Sequence, residues 1–149
     1  MAKCADLTED VRGDHDAAEA LYARAIEADP KHANNLGNYA KFTFKMGSAE
    51  QGARLLSLAE AHCEGPDELR TELAFYRYAH IRGASIADLR RYIDKEQRTP
   101  GWPLVENVRR AIADGHPQPE MLKDLADVLS HGVNASTLNR HAAWRDASG

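Results

Sequence analysis

The stretch GDHDAAEALYARAIEADPKHANNLGNYAKF, residues 13–42, decides the fold. Asp14 or Asp16 is placed to cap a helix in which Ala17, Ala18, Leu21, Tyr22, Ala25 and Ile26 recur at helical spacing and form one apolar stripe. Pro30 ends that helix, because the residue before a proline is pushed out of helical geometry. Asn34 or Asn35 then opens a second helix, with Leu36, Tyr39, Ala40 and Thr43 on one face. A chain that stops one amphipathic helix and restarts another almost at once is building packed helix pairs.

The same grammar continues outward. Gly47 is placed as a left-handed cap. Ser48 begins a third helix carrying Ala53, Leu55, Leu56, Leu58 and Ala59. Gly65-Pro66 breaks the chain before DELRTELAFYRYAHIRG, residues 67–83, where Leu69, Leu73, Tyr76 and His80 share a row that Phe75, Tyr78 and Ile81 widen. So broad an apolar surface implies burial between neighbours on two sides, and it makes His80 a packing histidine rather than a ligand. Gly83 stops this helix. Ser85 and Asp88 stand at capping-box spacing for the next. Pro103 suits the first helical position, where its missing amide hydrogen would be unpaired anyway. Leu104, Val108 and Ile112 follow, and Gly115 closes. Pro119 plays the same part for Met121, Leu122, Leu125, Val128 and Leu129, which Gly132 caps. A short last helix is expected over Ala135–Trp144. No segment alternates like a strand. The expectation is an all-α chain of about eight helices in one domain.

Composition excludes several classes. The chain of 149 residues is 43% hydrophobic and 28% charged, as in a soluble globular protein. A net charge of −4 argues against a general nucleic-acid binder, which carries a strong basic excess. The two cysteines, Cys4 and Cys63, form neither a disulfide framework nor a CxxC motif. A reduced, cytoplasmic chain is expected. The first residues lack an apolar run, so no signal peptide is expected, and no stretch of about 18 apolar residues suggests a membrane helix.

The chain also repeats. A shift of about 34 residues carries Gly13 onto Gly47, Ala18 onto Gly52, Tyr22 onto Leu56 and Ala25 onto Ala59. Glycines make the turn between paired helices, small residues let helix backbones approach, and large residues fill the space between repeats. With these residues the chain resembles the tetratricopeptide repeat family, in a bacterial-type form with a divergent helical C-terminal end. GDHDAAEALYARAIEADP resembles the second helix of that motif, with Ala18 and Tyr22 in its small and aromatic slots and Pro30 as its closing proline. ANNLGNYAKFTFKMG resembles the first helix of the next repeat, with Leu36, Tyr39 and Ala40 in the large, large and small slots.

The resemblance implies a right-handed α-solenoid of antiparallel helix pairs. Residues 1–32 would be an incomplete first repeat, 33–66 a second, 67–99 a divergent third, and 100–149 a C-terminal helical cap. The first helix of the first repeat would have to come from MAKCADLTEDVR, which lacks an apolar row, so Leu21 and Tyr22 mark an edge that a partner or a second copy could cover.

No catalytic, cofactor or metal motif stands out. No HExxH, phosphate loop or nucleophile elbow is present. His62 and Cys63 are adjacent on a helix, where neighbouring side chains diverge. The positive signal comes from the resemblance: the first helix of each repeat lines a concave groove. By register this places Asn34, Asn38, Lys41 and Lys45 in the groove, with Arg70 and Arg77 added from the third repeat. Amides and cationic heads suit an extended acidic segment or a C-terminal carboxylate. The implied function is a non-catalytic protein-binding module or scaffold with a protein or peptide partner, no cofactor, no nucleic acid and no membrane. The alternative is an accessory subunit or self-associating component of a larger complex. A small helical enzyme, using a polar cluster near Trp102, His116 and Arg109, is the reading from a different class.

Overall fold

A computed structural model describes residues 15–46, 48–63, 67–99 and 103–146. Every regular element among them is helical. Gly13, Gly47, Pro66, Trp102 and the N-terminal segment, on which part of the sequence reading rests, lie outside the described residues. The chain divides after residue 64 into two compact units.

The first unit holds three helices: α1 (His15–Ala28), α2 (Ala33–Lys45) and α3 (Ala49–Ala61). α1 packs on α2, and α2 packs most extensively on α3. The break between α1 and α2 falls at Asp29-Pro30, as expected, and His32 donates its amide to the Asp29 carbonyl across it at 3.2 Å. Neither Asn34 nor Asn35 caps α2. His32 does, its Nδ1 accepting from the Asn35 amide at 3.2 Å. An unprotonated imidazole nitrogen offers the same lone pair as an Asn oxygen, which is why the cap escapes a search for short polar residues.

Packing between α2 and α3 turns on one missing methyl group. Gly52 of α3 is buried against the ring of Phe44 from α2. Ala18, Leu36, Ala40, Leu56 and Ala59 are fully buried beside this contact surface or on its α1 side. Each large apolar side chain so enclosed contributes about 1.5–3 kcal/mol. Tyr22 of α1 stacks on Tyr39 with ring centroids 5.6 Å apart, and lies 5.2 Å from Phe42.

The second unit holds α4 (Asp67–His80), α5 (Ala87–Asp94), α6 (Val105–Ala113), α7 (Pro119–His131), a 3-10 helix (Ala135–Arg140) and the short α8 (Ala142–Arg145). α4 packs on α5 and α6, α6 on α7, and the 3-10 helix on α7 and α8. Leu73, Phe75, Tyr76, Leu89, Ile93, Leu104, Met121, Leu122 and Leu125 form its core. Gly83, Gly115 and Gly132 all take positive φ at the turns they were expected to make.

Three boundaries differ from expectation. α5 has Ile86 at its N-cap, while the Ser85 hydroxyl accepts from the Ala87 amide at 3.0 Å and Asp88 pairs instead with Arg91 at 2.5 Å. α6 starts at Val105 rather than at Pro103. The last helix is interrupted at His141, whose extended backbone separates the 3-10 helix from α8. There Asn134 caps the 3-10 turn through its side chain, at 2.9 Å from the Ser136 amide.

Candidate functional site

α2 is buried on most of its surface. Leu36, Gly37, Tyr39, Ala40, Phe42, Thr43 and Phe44 are all enclosed. Past its first turn only Asn38, Lys41 and Lys45 reach solvent, each half-buried, and Asn34 is exposed one turn earlier. Residues at intervals of three and four share a helix face, so these four make one row of two amides and two cations. Sandwiching by α1 and α3 explains why a single row remains open.

Beside this row Tyr39 is held by polar neighbours. Gln51 donates to its hydroxyl oxygen at 3.3 Å, and the hydroxyl reaches Glu19 at 3.4 Å. Burial, and next the charge of Glu19, raise the Tyr39 phenol above its ordinary value, so it stays neutral. Leu21 is half-buried on α1 and Tyr22 is buried against α2.

Arg70 and Arg77 lie on α4 in the second unit, the first exposed and the second half-buried. Of the acidic residues on the same helix, Glu68 is exposed, whereas Glu72 is buried and accepts from the Tyr76 hydroxyl at 2.8 Å.

The polar cluster expected near Trp102, His116 and Arg109 is matched at His116 alone, in a cleft of about 410 Å³ lying wholly within the second unit. The C-terminal end of α4, the 81–84 turn, the α6–α7 turn and Ala143 enclose it. His116 lines it, as do Tyr78 and His80. Arg109 does not belong to it and pairs with Glu106 on the surface at 3.0 Å. The signal lay in DGHPQP, residues 114–119. Gly115 at φ +89 sends the His116 amide back to the Ala111 carbonyl at 3.0 Å, which fixes where that imidazole emerges.

The C-terminal segment is fastened by two polar clusters. Asp124 of α7 accepts from Arg140 through both oxygens, at 2.7 and 2.6 Å, and from His141 at 2.5 Å. Burial pushes the Asp124 carboxyl up, but the bonds from His141 and Arg140 outweigh it and hold the group below the usual carboxylate value. Arg90 of α5 donates to the Trp144 carbonyl and stands 5.4 Å above the Trp144 ring.

Among the described residues no group of three His, Cys, Asp or Glu side chains is placed to hold a metal ion, and no helix is long and apolar enough to cross a membrane. Cys63 is buried.

Comparison with known proteins bears on the first unit. No curated protein and no solved structure matches the chain. Residues 12–62 match the tetratricopeptide repeat family. That segment spans α1, α2 and α3, the helices whose small-residue contacts and proline break have just been described. The tetratricopeptide repeat likeness therefore rests on residues 12–62, the helices of the first unit.

Proposed function

We propose that the chain is a non-catalytic protein-binding module that receives an extended acidic segment, or a C-terminal carboxylate, on the α2 row of Asn34, Asn38, Lys41 and Lys45. Tetratricopeptide repeats are in general protein-interaction modules, and the repeat match supports that coarser reading. The observation that carries the finer one is the pattern of burial on α2. Past the first turn every other face of that helix is spent on packing, and the row that reaches solvent combines side-chain amides with two lysines. Amides hydrogen-bond an extended backbone, and cations select carboxylates. Arg70 and Arg77 of α4 are proposed as cationic contacts that the second unit itself offers. In this reading residues 67–99 act as a divergent third repeat of a right-handed solenoid, residues 100–149 as its cap, and the protein works in the cytoplasm.

The experiment is a fluorescence-anisotropy titration with labelled acidic, neutral and basic peptides of equal length, on wild type and on a Lys41→Glu, Lys45→Glu variant. The acidic peptide binds wild type most tightly and loses at least about tenfold in affinity on charge reversal, as removal of charge-assisted bonds requires. Equal binding of all three peptides, or an unchanged affinity in the variant, overturns the reading. Light scattering across concentration separates it from self-association through Leu21 and Tyr22, which would raise the mass above 16.5 kDa.

A further inference from the structure

Two histidines in the wall of the second unit's cleft tie its helices together through hydrogen bonds that involve neutral rings. His116 is committed through both nitrogens. Its Nε2 hydrogen goes to the Tyr78 carbonyl at the end of α4, at 3.1 Å, and its Nδ1 accepts from the Gln118 amide at the start of α7, at 3.0 Å. A carbonyl cannot donate and a backbone amide cannot accept, so the tautomer is fixed. The imidazole therefore ties α4 to the α6–α7 turn. The Tyr78 ring meets it edge-on, with centroids 4.9 Å apart.

His80 makes a second tie. Its Nε2 stands 2.9 Å from the Asn107 amide nitrogen, joining α4 to α6, and Asn107 is fully buried. With the amide donating, His80 is neutral at Nε2. Adding a proton to His116 puts a hydrogen where the Gln118 amide hydrogen already points, and adding one to His80 obliges the buried Asn107 amide to turn over. Each tie as it stands must then break.

We propose that His80 and His116 form an acid-operated latch: protonation parts the C-terminal end of α4 from α6 and from the α6–α7 turn, and so widens the cleft. Both imidazoles line the same cleft, and the charge of His116 opposes the charging of His80. The other charged groups facing His80 are Asp114 and Arg110 of the α6 end, themselves paired at 3.2 Å, and Arg82 adds a cation to the cleft wall.

The electrostatics agree with the geometry. Burial draws His80 down to about 4; Asp114 opposes this, while His116 and Arg110 reinforce it. Burial also lowers His116, against the bond to the Tyr78 carbonyl. A histidine depressed in the folded state contributes stability that is fully present above its ordinary value of 6.5, and that stability is lost as pH falls toward about 4. Between about pH 7 and about pH 4.5, His80 alone shifts the equilibrium by roughly fiftyfold toward the widened cleft.

The test uses the full chain, with the histidine rings and backbone amides followed by NMR as pH is lowered. At neutral pH, His116 carries its proton on Nε2 and His80 on Nδ1. Both titrate below an ordinary histidine, and the Gln118 amide loses its protection from exchange with the same midpoint. His80→Gln and His116→Asn keep an acceptor where Nε2 and Nδ1 stood but cannot charge, so the double variant retains Gln118 protection at acid pH. Titration of both rings at the ordinary value overturns the proposal. So does a Gln118 amide that stays protected when both rings are charged. If the double variant fails to fold, these wild-type readings still decide the question.

Discussion

Replacing Gly52 by alanine places a methyl group where there is no room for it. A Cβ at that position would lie 2.7 Å from both Cδ1 and Cε1 of Phe44, and 3.0 Å from its Cγ. Carbon atoms in contact sit about 3.5–4.0 Å apart, so the ring or the helix must retreat by about 1 Å. Phe44 is 2% exposed, so its ring is enclosed by neighbours that must move with it. Overpacking of this kind costs about 1–3 kcal/mol. Against it stands the gain of about 1 kcal/mol when alanine replaces glycine inside a helix. The steric term outweighs it over most of that range, and Gly52→Ala destabilises the first unit by up to about 2 kcal/mol. Adding Phe44→Leu removes the obstruction, so in that background Gly52→Ala becomes neutral or stabilising. The coupling energy between the two changes is then at least about 1 kcal/mol. Urea unfolding by circular dichroism, with amide-exchange protection measured in α2 and α3, gives all four corners of the cycle. Stabilisation by Gly52→Ala alone, or strict additivity with Phe44→Leu, would refute the idea that this glycine is present to admit the ring.

Other expectations follow from single positions. Glu96 holds φ +62 at the end of α5, where the Gln97 amide returns to the Tyr92 carbonyl at 2.9 Å; Glu96→Gly therefore raises stability by about 0.5–1 kcal/mol in thermal or urea melts. Asp124→Asn removes the charge that Arg140 and His141 share, costing about 1–3 kcal/mol and exposing residues 135–146 to faster amide exchange. The Asp124 contribution is present above the ordinary carboxylate value of 3.8 and lost as pH falls below it, so the variant and wild type converge in strong acid. Arg90→Ala loses both the bond to the Trp144 carbonyl and the contact with its ring; Trp144 fluorescence shifts to the red as α8 loosens.

What could be read from the sequence, and what could not, divides along a physical line. Proline at position 30 and the glycines at 83, 115 and 132 act on their own backbone, so their turns were visible without any partner. The small residue at 52 was visible through its register with Ala18, because the repeat transfers one packing environment onto another. The Asn38, Lys41 and Lys45 row follows from helical spacing once α2 is known to be packed on its other faces. The second unit's polar ties were not legible. Arg90 and Trp144, Asp124 and His141, or His80 and Asn107 are brought together by the packing of helices well separated in the chain. No local pattern marks a histidine as half of such a tie. His32 escaped for a different reason, since an imidazole is an uncommon helix cap.

The central claim is that the open row of α2 recognises an acidic segment. The direct measurement is NMR shift mapping on isotopically labelled protein, titrated with the acidic, neutral and basic peptides in turn. The acidic peptide alone is expected to move the signals of Asn34, Asn38, Lys41 and Lys45. The effect weakens as salt screens the charges and disappears in the Lys41→Glu, Lys45→Glu variant. Shifts concentrated on Leu21 or in the cleft around His116, or no response from α2 to any of the three, would contradict it.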